Sequence, residues 1–476
     1  MKHCVISLLV AATWVQAAPS YRIVVSSATL DKPDWQKVVA ALEAKHPGAS
    51  RILWQKQVRE ALPELAKQHP QYVCFVGQPA ELSVDFVRSV HRLTRKLDAD
   101  PYTDCRWGIL TGYDAANALT IANESKPLVI HHTLAGTEIA VDRCESAQWF
   151  CELNAGKKVS KTPDGKVTEA KGPADSAADI ASALEQPQTG AFITSGHATQ
   201  RDWQIGFRYP NGHWESSQGK LISVDLAGKK REIQSPHPKV YLAVGNCLIG
   251  HVNGPDAMAL AYFNNVGVRQ MVGYTLPTWY GYQGWGLLDY FIEQPGRYSL
   301  AEAFLANQLA LVNRLETYFP EIAREDSDSA MGRISKPVPL SAAAKAAGLS
   351  AQDANGLMFD RDVVAFYGDP AWDARLAPGK LQWQQTWQQD PAGGSLEITP
   401  LAGAATFAPV NTNGSQRGGR PIIQFFDQRI DPASVVITAG AEFKPVIADD
   451  FLLIPLPAAD KEPQKIKVTF TAKLLK

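Results

Sequence analysis

Residues 239–250 read KVYLAVGNCLIG, an apolar run that stops at Gly245-Asn246 and then presents Cys247. A second stretch, TGAFITSGHA at residues 189–198, has the same form and presents His197. Short apolar runs of this kind are typical of buried strands. In open α/β sheets, catalysis and ligand binding gather outside the carboxyl ends of the strands. If the two strands are parallel neighbours, Cys247 and His197 therefore emerge at the same edge of one sheet.

A thiol beside an imidazole has the composition of a catalytic nucleophile with its base. The thiolate is the reactive form of cysteine, and a neighbouring histidine is a common means of populating it. Two plainer interpretations stay open, because a free cysteine often packs as a small apolar residue and a loop histidine is often only solvated. The matching positions of Cys247 and His197 favour the catalytic pair.

The composition is that of a globular protein rather than a nucleic-acid-binding or membrane protein. The chain has 476 residues, of which 45% are hydrophobic and 20% are charged, and its formal net charge is −1. This length suits two or three domains, and the charge balance does not attract nucleic acid. No stretch after the N-terminus reaches the roughly 18 uninterrupted apolar residues that a membrane span requires.

The first 17 residues, MKHCVISLLVAATWVQA, have the form of a signal peptide. Lys2 precedes an apolar run, and small residues follow at a possible cleavage point after Ala17. The alternative is a buried N-terminal strand. We expect removal of residues 1–17 and export of the mature protein to the periplasm or the exterior.

Cysteine counting is informative for an exported chain. After removal of Cys4 the cysteines are Cys74, Cys105, Cys144, Cys151 and Cys247. In an oxidising compartment four of the five could form disulfides and leave one free thiol. A local Cys144–Cys151 bridge would leave Cys74 for Cys105 and Cys247 unpaired, but the sequence does not fix the pairing.

Three regions follow the signal peptide. Residues 21–135 alternate strand and helix patterns and predict an N-terminal α/β subdomain, and residues 136–385 predict a second one that contains both candidate catalytic residues. We expect a mainly parallel sheet flanked by helices. Polar stretches at 154–188 and 325–355 suggest surface excursions. Residues 391–476 contain only short β-rich segments between turns, which predicts a C-terminal β-sandwich.

The order of several blocks resembles the gingipain-type cysteine peptidases, which share a clan with caspases and legumains. These blocks are ITSGHATQ, YLAVGNCLIG, VRQMVGYTLPTWYGYQGWG, SLAEAF and VVAFYGDPAW. The resemblance extends in order from about residue 21 to residue 376, and it implies a caspase-like α/β fold in two halves. It also implies that the trailing β-sandwich is immunoglobulin-like.

The resemblance implies roles for individual residues. His197 would be the general acid and base, and Cys247 would attack the scissile carbonyl. The backbone N–H of Cys247, with one near Gly196 or Ala198, would form the oxyanion hole. The family normally has glycine after the histidine, whereas this chain has Ala198, which does not readily adopt a positive φ.

The segment GYTLPTWYGYQGWG, residues 273–286, corresponds to the loop that forms the substrate pocket in this family. Trp279 is the foremost candidate for a pocket wall, followed by Tyr280 and Trp285. The same aromatic residues could equally pack against the following helix. A pocket that selects arginine or lysine needs a buried carboxylate, and the sequence does not identify which acid would supply it.

Together these observations predict an exported cysteine endopeptidase that acts on polypeptides through an acyl-enzyme. The alternatives are a catalytically inactive binding protein of the same fold, which Ala198 favours, and a transpeptidase or processing enzyme. No cofactor is expected. His131 and His132 lack a zinc motif, and structural calcium could bind at the acidic stretches 325–329 or 360–362.

Overall fold

The computed structural model describes residues 20–327 and 338–475, so the predicted signal peptide lies outside the described residues. The helices are α1 (Ser27–Leu30), α2 (Pro33–Lys45), α3 (Leu62–Gln68), α4 (Val84–Thr94), α5 (Ala115–Ala122), α6 (Ala177–Leu184), α7 (Met258–Asn265), α8 (Tyr282–Trp285), α9 (Leu287–Phe291), α10 (Leu300–Tyr318), α11 (Ala342–Ala346) and α12 (Ala351–Asp360).

The strands up to the predicted C-terminal region are β1 (Tyr21–Ser26), β2 (Ser50–Trp54), β3 (Tyr72–Val76), β4 (Arg106–Leu110), β5 (Leu128–Ile130), β6 (His132–Ala135), β7 (Ser146–Phe150), β8 (Lys157–Lys161), β9 (Val167–Lys171), β10 (Thr189–Gly196), β11 (Asp202–Gln204), β12 (His213–Ser217), β13 (Lys220–Val224), β14 (Lys230–Ile233), β15 (Lys239–Asn246), β16 (Val268–Tyr274), β17 (Val364–Tyr367) and β18 (Ala374–Leu376). The strands that follow are β19 (Trp383–Asp390), β20 (Gly393–Pro400), β21 (Ile422–Phe425), β22 (Val436–Ala439), β23 (Val446–Ile447), β24 (Phe451–Ile454) and β25 (Ile466–Thr471).

One large sheet organises the α/β body, in the order β2-β1-β3-β4-β17-β16-β15-β10-β6-β7-β8-β9. It contains two blocks of parallel strands, which meet at the antiparallel pair β16–β17. Strands β10 and β16 are buried along their whole length, as expected when helices cover both faces of a sheet. The predicted α/β class, with a mainly parallel sheet flanked by helices, is confirmed.

Local chemistry explains the longest helix. Helix α10 begins after Ser299, whose hydroxyl accepts a hydrogen bond from the Glu302 N–H while the Glu302 carboxylate accepts one from the Ser299 N–H. This is a capping box, for which Ser-x-x-Glu is the sequence signature. The apolar face of α10 packs on the large sheet through residues such as Phe304.

Some predicted segments differ from the observed ones. The stretch KPLVIHHT, expected as one strand, divides into β5, which pairs with β18, and β6, which lies beside β10 in the large sheet. The expected excursion at 154–188 adds β8 and β9 to the sheet edge and contains helix α6. The second excursion contains α11 and lies partly outside the described residues.

The C-terminal strands form two antiparallel sheets, β19-β20-β25-β22 and β21-β24-β23. Apolar side chains from both sheets, including Leu396 and Ile454, share one cluster. Other side chains of the second sheet, such as Ile423 and Leu453, belong to the core of the α/β body. The C-terminal sheets are therefore packed into the body rather than attached by a linker.

The five cysteines in the described part of the chain are free, so the disulfides considered from the sequence are not formed. Cys144 and Cys151 flank β7 at opposite ends, roughly 20 Å apart for an extended chain, whereas a disulfide requires Cα atoms within about 7 Å. Cys74 is paired in register with Gly108, whereas Cys105 lies three residues before Gly108 and immediately precedes the neighbouring strand β4. None of the helices described is both long and apolar enough to cross a membrane.

Candidate active site

Cys247 and His197 follow neighbouring parallel strands at the same edge of the sheet. Strands β10 and β15 pair directly, and Gly196 is opposite Asn246 at the ends of the two strands. His197 and Cys247 are the next residue on each strand. Adjacent strands are about 4.8 Å apart, so the two backbones are neighbours at this point. The structure thus brings together the two residues that the sequence singled out.

Asn246 fixes the relative position of the two strand ends. Its side chain is fully buried, its Oδ1 accepts a hydrogen bond from Thr194 Oγ1 at 2.5 Å, and its Nδ2 donates to the Gly196 carbonyl at 3.2 Å. Thr194 Oγ1 also lies 2.8 Å from the Tyr241 hydroxyl. Asn246 therefore acts between the strands rather than on the thiol.

The Cys247 sulfur is partly exposed and lies against the backbone of the following loop. The Thr278 N–H donates to Cys247 Sγ at 3.2 Å, and the Thr278 hydroxyl donates to the Asn246 carbonyl at 3.0 Å. Leu248, the next residue, has a φ of +60°, which is uncommon for a branched side chain and marks a sharp, strained turn after the cysteine.

His197 lies at the open side of this edge. Its ring is exposed and stacks on Phe207, with the ring centroids 4.5 Å apart and an interplanar angle of 25°. Gly196 has a φ of +103°, a conformation that favours glycine. Ala198 does not have a positive φ, so the departure from glycine at this position introduces no backbone strain.

A cavity of about 410 Å³ adjoins the strand ends. Ser195, Gly196, Gly245 and Thr278 line it, and the Thr278 N–H donates to the Cys247 sulfur. Of the predicted pocket residues, Trp279 and Trp285 line the cavity.

Tyr280 does not line this cavity, contrary to its place among the predicted pocket residues. It is packed in a separate apolar cluster, against Gly356, and its hydroxyl donates to Asp353 at 3.1 Å. The physical reason is that the Tyr280 ring is held by Gly356 and Asp353 and by an edge-to-face contact with Trp279, at a centroid distance of 5.8 Å, so Trp279 rather than Tyr280 lines the cavity.

Glu152 also lines the cavity, and the sequence analysis did not single it out. It follows β7 and is only 5% exposed. Its Oε1 accepts hydrogen bonds from Thr137 Oγ1 at 2.5 Å and from Ser195 Oγ at 3.1 Å, whereas its Oε2 is buried with no partner among the described residues. Its position after a buried strand was the one available signal, and many acidic residues share it.

Burial raises the pKa of the Glu152 carboxyl above its usual value, and hydrogen bonds from Thr137 and Ser195 oppose this shift. A buried carboxylate oxygen without a donor is costly for the folded protein. A cationic group that entered the cavity would supply both the missing donor and the missing charge. The exposed side chain of Arg208 also lines the cavity.

Four of the residues considered for metals are used in other ways, and the acidic stretch 325–329 lies partly outside the described residues. His131 Nδ1 lies 2.7 Å from Glu145, and His132 Nδ1 lies 2.9 Å from the Ser146 hydroxyl. Asp360 accepts from Tyr274, and Asp362 pairs with three arginines, Arg92, Arg95 and Arg361. Within residues 20–327 and 338–475, the group that could hold a metal is a different one, Asp98, Asp100 and Asp449.

No protein-family model and no curated protein sequence matches this chain. Among solved structures, it is similar to the Arg-specific cysteine proteinase gingipain R, with 10% identity and a TM-score of 0.43 over 96% of this chain and 98% of the other. The complex of the pro- and mature domains of RgpB from Porphyromonas gingivalis gives 10% identity and a TM-score of 0.43 over 93% and 94% of the two chains. A structure described only as a protease gives 9% identity and a TM-score of 0.43 over 96% and 97%.

The resemblance predicted from the sequence is therefore present among solved structures. At this level of identity and TM-score it assigns neither an activity nor a residue role to this chain.

Proposed function

We propose that this protein is an exported cysteine peptidase in which Cys247 is the nucleophile and His197 is the general acid and base. The observation that supports this most directly is the placement of the two residues after Gly196 and Asn246, which are paired at the ends of neighbouring parallel strands. A nucleophile and its base must lie within reach of each other, and the pairing of the two strand ends supports the proposal because it makes the backbones of His197 and Cys247 neighbours.

In the proposed reaction, the Cys247 thiolate attacks the scissile carbonyl carbon and a tetrahedral oxyanion forms. Backbone N–H groups of Cys247 and of Gly196 or Ala198 stabilise that oxyanion. The carbon–nitrogen bond then breaks, and the His197 imidazolium gives its proton to the leaving amine. Water, deprotonated by His197, hydrolyses the thioester and releases the carboxylic acid, which regenerates the thiolate and the imidazolium.

The substrate residue before the cut bond is proposed to be basic. Glu152 lines the cavity beside the thiol, and its Oε2 is buried and has no partner among the described residues. A guanidinium or ammonium group would form a charge-assisted hydrogen bond with this oxygen. Trp279 and Trp285 offer apolar and aromatic surface to the stem of a long basic side chain.

An inactive protein of the same fold is less well supported. Ala198 was the sequence feature that favoured it, and the φ of this residue is not positive, so the backbone there is unstrained. Hydrolysis and transpeptidation use the same acyl-enzyme, and the chemistry of the acceptor distinguishes them.

The experiment is a panel of fluorogenic peptides with Arg, Lys, Leu, Asn or Asp before the cut bond. The mature protein after Ala17 is compared with its Cys247→Ala variant under mild reductant. Cleavage of the Arg and Lys peptides by the parent alone supports the proposal. Cleavage of only the Asp peptide would indicate that Arg208, not Glu152, governs the pocket. If the parent cleaves none of the peptides, the peptidase proposal is wrong.

A further inference from the structure

The connection between β20 and β21, residues 401–421, leaves the C-terminal sheets and reaches the cavity beside Cys247. Three of its residues line that cavity, namely Asn413, Gly414 and Ser415. Gly414 has a φ of +97°, and a Cβ placed on it would lie 2.2 Å from Cδ2 of Trp285. The backbone therefore lies flat against the indole, which is an approach that glycine permits.

Asn413 is connected to Glu152 through one hydroxyl group. Its Nδ2 donates to Thr137 Oγ1 at 3.1 Å and lies 3.3 Å from the Glu138 carbonyl. The Thr137 hydroxyl, which accepts from Asn413, donates its own proton to Glu152 Oε1 at 2.5 Å. The amide of Asn413 thus fixes the direction of the hydroxyl, and the hydroxyl holds the carboxylate through Oε1, which leaves Oε2 without a partner among the described residues.

A buried arginine anchors this part of the loop. The side chain of Arg417 is 2% exposed, its Nε donates to Asp289 Oδ1 at 2.6 Å, and its Nη2 pairs with Glu293. Its Nη1 donates to the Asn413 carbonyl at 3.0 Å, and Asp289 Oδ2 accepts from the Gly418 N–H at 2.9 Å. One guanidinium therefore joins the loop backbone to α9 and to the acidic residue that follows α9.

A second arginine holds the end of the same loop. The guanidinium of Arg420 lies 3.7 Å from the centroid of the Tyr282 ring, and its Nε donates to Asn307 Oδ1 at 3.0 Å. Helix α8, which contains Tyr282, also carries Trp285 of the cavity wall. The loop and the wall are thus fixed to the same helix.

We infer that the β20–β21 loop forms part of the substrate pocket and orients the Glu152 carboxylate. Asn413 is a positioning residue for Glu152, and Arg417 holds Asn413 in place. This inference rests on the proposed function. It assigns the connection between the C-terminal sheets a role in selecting the basic substrate residue, whereas the sequence predicts no chemical role for any residue of this region.

The test compares Asn413→Ala and Arg417→Lys with the parent. Arg429→Lys is the matched control, because Arg429 pairs with Asp449 in the same C-terminal region but lines a different cavity. For each folded protein, kcat/KM is measured for an Arg peptide and a Leu peptide across pH. The Arg-to-Leu ratio is kcat/KM for the Arg peptide divided by kcat/KM for the Leu peptide. It does not depend on the fraction of active enzyme.

Asn413→Ala should lower the Arg-to-Leu ratio about tenfold, the usual consequence of losing one hydrogen bond that supports a charged group. It should also move the acid limb of kcat/KM for the Arg peptide to higher pH, by roughly half a pH unit or more, because a donor to the carboxylate network is lost. The Leu peptide should show no such shift. Arg417→Lys should lower the same ratio, and Arg429→Lys should leave it unchanged.

Calorimetric binding of benzamidine, an amidine that mimics the arginine head group, separates the pocket from catalysis. It is measured on Cys247→Ala with and without Asn413→Ala, and we expect affinity to fall about tenfold when Asn413 is replaced.

If the folded Asn413→Ala and Arg417→Lys variants keep the parent ratio, acid limb and benzamidine affinity, the inference is overturned and the proposed function stands. If no peptide is cleaved but Asn413→Ala still weakens benzamidine binding, the peptidase proposal fails and the inference about the pocket stands. Absence of both cleavage and benzamidine binding overturns both.

Discussion

Replacing Glu152 by glutamine should abolish the preference for a basic residue while the fold persists. The carboxylate is 5% exposed, and its Oε2 has no protein donor in the described structure. Glutamine keeps the size and one oxygen acceptor for Thr137 and Ser195 but removes the charge. The substitution therefore tests charge recognition with little change in packing.

The expected loss in kcat/KM for an Arg peptide follows from the interaction of its charged group with the single unpaired oxygen of Glu152. A hydrogen bond to a charged group contributes about 1.5–3 kcal/mol, and removal of one partner of a buried ion pair costs roughly 3–5 kcal/mol. We take about 3 kcal/mol, the value at which these two ranges meet. Because about 1.4 kcal/mol corresponds to a factor of ten, kcat/KM for an Arg peptide should fall by about two orders of magnitude.

The same substitution should stabilise the protein at neutral pH, and the sign is fixed by linkage. Burial raises the pKa of Glu152 in the folded state above its value in the unfolded chain. Between these two pKa values the folded protein binds the proton more tightly, so the contribution of Glu152 to the free energy of unfolding falls as pH rises. Glutamine does not ionise, so in Glu152→Gln this position does not lower the free energy of unfolding as pH rises.

The assay is kcat/KM for Arg and Leu peptides together with urea unfolding of both proteins at pH 4 and pH 7.5. The variant should be more stable than the parent at the higher pH, with a smaller difference at the lower one. Retention of the parent's Arg-to-Leu ratio in a folded Glu152→Gln protein would refute the assignment of Glu152 to the substrate.

Two further predictions concern groups behind the site. Asn246→Leu removes both side-chain hydrogen bonds between the strand ends. We therefore expect the free energy of unfolding in urea to fall by about 2 kcal/mol, and kcat to fall by a larger factor than KM rises. A kcat within twofold of the parent value would contradict this prediction. Burial raises the pKa of Asp360 to about 7. The unfolded chain ionises first, so Asp360→Asn should gain stability over the parent as pH rises from 4 to 7; a pH-independent difference in Tm would contradict it.

The positions of the two candidate catalytic residues at strand ends could be predicted from the sequence, because they depend on local sequence patterns. An apolar run that ends at Gly196 or Asn246 predicts a buried strand, and parallel strands place their carboxyl ends at one edge. The capping box at Ser299 is local in the same sense. These elements could therefore be predicted without knowledge of the tertiary structure.

The pocket could not be predicted in the same way, because its residues come from separate parts of the chain. Glu152 follows an ordinary strand, and only the sheet order β10-β6-β7 brings it toward His197. Asn413 lies in a stretch of turn-forming residues whose composition indicates a loop but not where the loop packs. Trp279 and Tyr280 are consecutive in a turn without periodicity, so no pattern separates the side chain that faces the cavity from the one that does not.

The central claim is that His197 activates Cys247, and the most direct measurement is the rate of alkylation of Cys247 by iodoacetamide against pH, in the parent and in His197→Ala. The other four cysteines in the described chain are buried and serve as internal controls in the same mass spectrum. We predict a single rapid adduct on Cys247 at pH 7 in the parent, and a rate that falls at least tenfold in His197→Ala. Slow labelling of Cys247 in both proteins, with the same pH dependence, would contradict the account.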